Sequence, residues 1–322
     1  MRVGCHNSRL AARHRSKGRA IDYRSLAKSR LCCWLISALS IWLLVPPAAC
    51  RLRADDANSG KQIVQELQLL EANPNRPSDS NSADLLKPGV LQLEYGYSRE
   101  WVSKDEAQST IDGEVRFGLM KNLEVRWGGN PWIRDATTSA TNQGFGDQYL
   151  ATQWRFREAG KRTPSLALSY VINLPAADER QGLGSGRVDN SFIFLTSKEI
   201  RGFTCDFNAV YNLIGRKKAD GHDQNGEFFL TFQHGIYRGL SLISEWGGDT
   251  QLNSTDGGFA TNLWALTFQP QPKVVLDVGF EAHDAPGGPP KRIFFGITYA
   301  VSNLYRRHAA RGTANQHKSA AP

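Results

Sequence analysis

From Val90 to Val301 apolar and polar residues alternate one by one, and few folds accept that pattern a dozen times in one chain. Successive side chains of a strand point to opposite faces, so each alternating run reads as a strand with one apolar and one polar face. Leu91, Leu93, Tyr95 and Tyr97 alternate with Gln92, Glu94, Gly96 and Ser98, and Ile111, Val115, Phe117 and Leu119 with Asp112, Glu114, Arg116 and Gly118. Leu166, Leu168, Tyr170 and Ile172 oppose Ser165, Ala167, Ser169 and Asn173 in the same way. Runs of this kind place strands near 90–101, 109–119, 123–132, 147–157, 164–174, 191–200, 203–214, 226–236, 240–247, 259–269, 273–282 and 291–301. The sixth and tenth are apolar on both parities, and their facing stays open.

The connections follow a second alternation. Those after even strands are short: Met120-Lys121-Asn122, Glu158 to Thr163, Arg201-Gly202, Tyr237-Arg238-Gly239 and Pro270-Gln271-Pro272. Those after odd strands are mostly longer and rich in Gly and Asp: Pro131 to Gly146, Pro175 to Asn190, Gly215 to Asn225, Gly248 to Gly258 and His283 to Pro290. Short turns at one rim and long loops at the other are the asymmetry of a transmembrane barrel, with periplasmic turns and extracellular loops. The expected fold is therefore all-β: a closed antiparallel transmembrane barrel of about 12 strands spanning 88–305.

A soluble or periplasmic β domain is the rival, since alternation marks any half-buried sheet and mean hydropathy is −0.42. A membrane barrel also scores polar, because half of every strand faces a wet lumen. The aromatic residues favour the barrel: Trp101, Trp127, Trp132, Trp154, Trp246, Tyr170, Tyr211, Tyr299 and Tyr305 fall mostly near expected strand ends, where interfacial girdles belong.

The leader accounts for the basic charge. Residues 1–53 hold eleven Lys/Arg against Asp22, so the formal +8 of the whole chain becomes −2 for the remainder. No basic cluster interleaved with aromatics is left, which argues against nucleic-acid binding. Leu31 to Val45 is an uncharged apolar run after Arg24, Lys28 and Arg30 and before Pro46-Pro47-Ala48-Ala49. Basic flank, short apolar stretch and small residues read as a cleaved signal peptide over 1–49, and about 20 residues would be needed for a spanning helix. Its long basic n-region leaves open a start codon further downstream. Cys50 also fits a lipidation site, although Pro47 stands where a branched apolar residue is usual. Four of the five cysteines lie in this leader, so the exported chain keeps Cys205 and no disulfide is expected.

Residues 50–87 are polar, with one helical turn set (Ile63, Val64, Leu67, Leu70) and a Pro/Asn/Ser-rich run from Asn73 to Ser82. The segment reads as a periplasmic linker or a short plug, and residues 306–322 as a polar, disordered tail.

Catalytic signatures are missing. Phospholipase-type barrels place His and Ser two apart on one strand, but His234 is followed by Gly235-Ile236. Asp220, His222, Asp223 and His283-Asp284 fall in expected outer loops, where solvated turn residues are the default. The loop Asp249 to Gly258 lacks the acidic spacing of a calcium site. Neither a metal nor a cofactor is implied, and an enzyme is not expected. What remains is the inward parity: Glu94, Glu114, Arg116, Glu124, Arg126, Gln153, Arg155, Asp206, Asn208, Glu245, Asp277 and Glu281. Facing charges of this kind either brace a narrow lumen or line a polar path through it.

From Leu86 to Tyr305 the chain resembles the outer-membrane family of transporters assigned to the MetA pathway of phenol degradation. The likeness rests on Gly144-Phe145-Gly146-Asp147, on Pro164-Ser165-Leu166-Ala167-Leu168 running to Leu174-Pro175, and on Gly182-Leu183-Gly184-Ser185-Gly186. Turns such as Lys121-Asn122-Leu123, Arg201-Gly202-Phe203 and Arg238-Gly239-Leu240 also fit. Pro175-Ala176-Ala177 departs from the family's usual Pro-Thr-Gly. The resemblance implies an outer-membrane barrel passing small hydrophobic or aromatic compounds, and it supplies no catalytic residues. The expected partners are outer-membrane lipid and a small apolar or aromatic solute. A structural or surface-interaction barrel is the alternative.

Overall fold

The computed structural model describes residues 70–305, except 104, 185, 217–220, 251–257, 259 and 285–290. The leader, Cys50, the helical turn set before Leu70, Asp220 and the tail lie outside the described residues, as does most of the loop from Asp249 to Gly258.

Among the described residues thirteen strands form: β1 (Val90–Ser103), β2 (Glu106–Met120), β3 (Leu123–Thr137), β4 (Thr141–Gly144), β5 (Gln148–Arg157), β6 (Ser165–Leu174), β7 (Asp189–Ile200), β8 (Phe203–Gly215), β9 (His222–Tyr237), β10 (Leu240–Asp249), β11 (Ala260–Gln271), β12 (Val274–Asp284) and β13 (Lys291–Asn303). Twelve of them make a closed antiparallel ring. Each pairs with its sequence neighbour, β3 pairs with β5, and β1 closes on β13 in a register from Val90↔Asn303 to Trp101↔Lys291. Closure leaves no open sheet edge inside the bilayer, which a membrane-spanning sheet requires. β4 is a short flap paired only with the outer half of β3.

The alternation maps onto the two faces of this wall. Outward lie Leu150, Leu168, Phe192, Phe194, Phe207, Leu230, Phe232, Leu266, Leu276 and Phe295, all exposed. Such a continuous apolar belt far exceeds the patches that water-soluble proteins tolerate, and lipid is its natural cover.

The structure revises several outer connections. β3 runs on to Thr137 and folds back as β4, where a loop from Pro131 was expected. β8 and β9 continue their ladder to Gly215↔His222, shortening the loop expected from Gly215 to Asn225. His283 is not a solvated loop residue but a buried one on the inner face of β12, its Nε2 2.9 Å from Glu281. In each case polar sequence was read as loop, whereas a barrel strand stays polar on its inward parity up to the rim.

Candidate functional site

The inner face of the barrel is occupied by the chain that precedes it. Leu70 and Ala72 pack with Leu86, Val90, Val275 and Ala300 at the short-turn end, and Ala72 N–H donates to the Pro272 carbonyl at 2.7 Å. From there the backbone follows the inner wall from strand to strand. Asn73 N–H donates to Gln92 of β1, and Asn75 and Arg76 N–H to Glu94. The Arg76 guanidinium bonds both carboxylate oxygens of Asp277 on β12 at 3.2 Å. Asp79 and Ser80 N–H both donate to the Glu245 carboxylate of β10 at 2.9 Å. Asn81 exchanges two 2.8 Å bonds with Asn208 of β8. Ala83 N–H reaches Ser197 of β7, Asp84 accepts from Ser165 of β6 and Arg155 of β5, and Leu86 N–H donates to Glu124 of β3. The chain then meets the Gly118 carbonyl of β2 through Gly89 N–H and enters β1.

This path is irregular, yet eight of its amides between Asn73 and Leu86 donate to side chains of the wall. Irregular backbone at membrane depth is tolerated only when protein or trapped water supplies those bonds. Close approach needs small wall residues. Gly96 and Gly296 are register partners on β1 and β13, and a Cβ on either would overlap the Arg76 guanidinium.

Each of the twelve residues singled out on inward parity can now be placed. Glu94, Arg116 and Glu124 form one buried triad: Arg116 lies 2.9 Å from Glu94 and 2.8 Å from Glu124, and donates to the Asn73 carbonyl at 2.5 Å. Glu114 faces Arg126 at 3.7 Å, and Arg126 also donates to Ser169. Gln153, Arg155, Asn208, Glu245 and Asp277 contact the threaded segment directly. Asp206 accepts from Ser197. Glu281 binds His283 and Arg292, and Arg292 in turn reaches Asp79 of the segment at 3.3 Å. The positive and negative groups thus meet in local pairs rather than in rings of one sign. Gln92, Ser165, Ser197 and Arg292 belong to the same set and were missed, although each sits on inward parity. Arg76 offered no strand parity to read.

The two strands of open facing resolve by burial. In β7, Ile193 and Leu195 point inward while Phe192 and Phe194 face lipid; in β11, Leu263 and Ala265 point inward while Trp264 and Leu266 face lipid. Ile193 and Leu195 join Ala151, Ala167, Val171 and Val210 in an apolar stretch of inner wall, with Ala83 of the threaded segment seated on it and Tyr149 and Phe229 alongside. Ile243, Leu263, Ala265 and Phe294 form a second stretch on β10, β11 and β13. The inner wall therefore carries two apolar stretches set among polar and charged positions.

Elsewhere the candidates for chemistry disperse. His234 faces outward, stacks on Phe203 at 4.5 Å and bonds the Gly202 carbonyl. Asp223 pairs with Arg216 at the outer rim. Among the described residues no group of His, Cys, Asp and Glu is arranged to hold a metal ion.

Closed twelve-stranded antiparallel wall, lipid-facing belt and short-turn rim define a transmembrane β-barrel of the outer-membrane type. The family model described as "Putative MetA-pathway of phenol degradation" matches residues 74–269, and the chain belongs to that family. The match begins inside the threaded segment rather than at β1. Among solved structures, the COG4313 outer membrane channel from Pseudomonas putida F1 is similar over 70% of this chain and 100% of its own, with TM-score 0.54 and 14% identity. The NanC porin is similar over 66% of this chain and 100% of its own, with TM-score 0.48 and 8% identity. The CymD monoaromatic hydrocarbon channel is similar over 74% of this chain and 96% of its own, with TM-score 0.42 and 10% identity. No protein with a curated description matches the sequence.

Proposed function

We propose that this barrel is an outer-membrane channel for a small apolar or aromatic solute, and that residues 70–88 hold it closed. The observation that carries the reading is the apolar inner wall of β5–β8, Val171, Ile193, Leu195 and Val210, lying beneath Ala83 of the threaded segment. Inward positions of outer-membrane barrels are ordinarily polar, so a patch of Ile, Leu and Val there calls for an apolar occupant. The segment supplies that occupant at rest. Once it moves, the patch offers an apolar solute a favourable surface of about 25 cal/mol per Å² buried. The charged groups of the inner wall meet in local pairs, so strong ion selectivity is not expected.

The test compares the full chain with a variant in which Asn73 to Asp84 is replaced by a Gly/Ser linker of equal length. Single-channel conductance in planar bilayers should rise in the variant. A deletion strain lacking other porins should take up a small aromatic compound more slowly, with sugar uptake less affected. Unchanged aromatic uptake together with unchanged conductance would leave a structural barrel as the better account.

A further inference from the structure

The short-turn rim has a charge pattern that channel activity does not explain. Five turns close it: 121–122, 158–164, 201–202, 238–239 and 272–273. Every one carries a cation, Lys121, Arg162, Arg201, Arg238 and Lys273, with Lys161 as a second in the longest turn. Against these six stands one carboxylate, Glu158, which is shared between Lys121 and Arg155. By sequence, the outer connections hold six Lys/Arg and six Asp/Glu. The excess of positive charge is confined to one end of the barrel.

The geometry points to anionic phospholipid of the periplasmic leaflet as the partner of this rim. Arg162, Arg201 and Arg238 are exposed, and they lie one step beyond the outward aromatic girdle. Trp154 and Phe156 pack together at the end of β5, and Phe203 stacks on His234 beside the turn that holds Arg201. Arg238 sits 5.8 Å over the Tyr237 ring. Aromatic girdles settle at the level where the hydrocarbon meets the headgroups, so cations one step further out stand among the phosphates. A ring that repeats at every turn meets a continuous charged plane more naturally than a compact protein epitope. Cations near such a surface each add to attraction, which decays within a Debye length.

The test places the full-length folded protein in phosphatidylcholine bilayers and measures, by electron paramagnetic resonance, how strongly it immobilises spin-labelled phosphatidylglycerol relative to spin-labelled phosphatidylcholine. The wild type should select phosphatidylglycerol, and the preference should fade at high salt. Replacing Lys121, Arg162, Arg201, Arg238 and Lys273 with Gln should cut the preference by at least about fivefold, the factor one near-surface cation contributes. A matched variant, Arg180→Gln, Arg187→Gln and Arg216→Gln at the outer rim, should keep it. No wild-type preference, or equal loss in both variants, overturns the inference. If the variant with all five replacements fails to fold, Arg201→Gln and Arg238→Gln are measured singly, and selectivity indistinguishable from wild type in both overturns it as well. The readout is independent of transport, so it stands or falls separately from the channel reading.

Discussion

Replacing Arg116 with Met tests whether the lumen is held by paired charges. Arg116 is buried between Glu94 and Glu124 at 2.9 and 2.8 Å, and it also donates to the Asn73 carbonyl. At 2.9 Å, two unit charges interact by about 6 kcal/mol in a medium of effective dielectric 20, and desolvation of all three groups offsets much of that. The net worth of the triad is therefore small, but breaking it is not. Met leaves two buried carboxylates facing each other, and the expected loss is about 3–5 kcal/mol. Glu94→Gln and Glu124→Gln on the Arg116→Met background remove that repulsion, while the new carboxamide oxygen at position 94 can still accept from the Asn75 and Arg76 amides. At least half of the lost stability should return. Urea titration in liposomes, followed by heat-modifiable gel mobility, measures both variants. A stable Arg116→Met protein, or a triple variant no better than the single one, would refute the triad as an electrostatic brace.

Further outcomes follow from the same geometry. Leu168→Arg, on the lipid face, should cost about 2–4 kcal/mol near mid-bilayer, read as lost refolding yield. Ser169→Arg meets a different obstacle, because Ser169 already accepts from Arg126; Arg126→Ser should rescue it and should not rescue Leu168→Arg. Gly296→Val should evict Arg76 from its notch and loosen the segment, read as faster labelling of a Ser78→Cys reporter by a water-soluble maleimide in the folded barrel than of the same reporter with Gly296 in place. Glu245→Ala removes the acceptor of two segment amides and should raise spontaneous opening in single-channel records; a record identical to wild type would count against the segment as gate.

The wall was legible because barrel closure depends on period 2 and turn length, and both are written locally. Leu166 to Asn173 fixes its own facing, and Arg201-Gly202 marks a two-residue hairpin, with φ of 52° and 82° at the two positions. The inner path was not legible in this way. Asn73 to Ser82 has no periodicity because its bonds go to side chains on many strands up to 213 residues away, as at Asp79 to Arg292. Gly96 and Gly296 read as ordinary small residues until their pairing across the closing seam put both under one guanidinium. Ile193 and Leu195 stayed open for a related reason: apolar residues on both parities erase the contrast from which facing is read, and only burial separates them from Phe192 and Phe194.

The polarity of the inner wall and the irregularity of the threaded segment explain each other. A segment without helix or ladder leaves its amides open, and in a lumen they need acceptors fixed at many heights and directions. Gln92, Glu94, Glu124, Ser197, Asn208 and Glu245 are those acceptors, spread over β1, β3, β7, β8 and β10. Burying them as charges or amides is expensive unless the segment is present to bond them. If the segment leaves, the same groups must be met by water, so opening and flooding of these polar positions are one event. The apolar stretch of Val171, Ile193, Leu195 and Val210 gains nothing from that water. An apolar solute entering with the segment displaced would cover it, lowering the cost of the open state. Solute and segment would then compete for one wall.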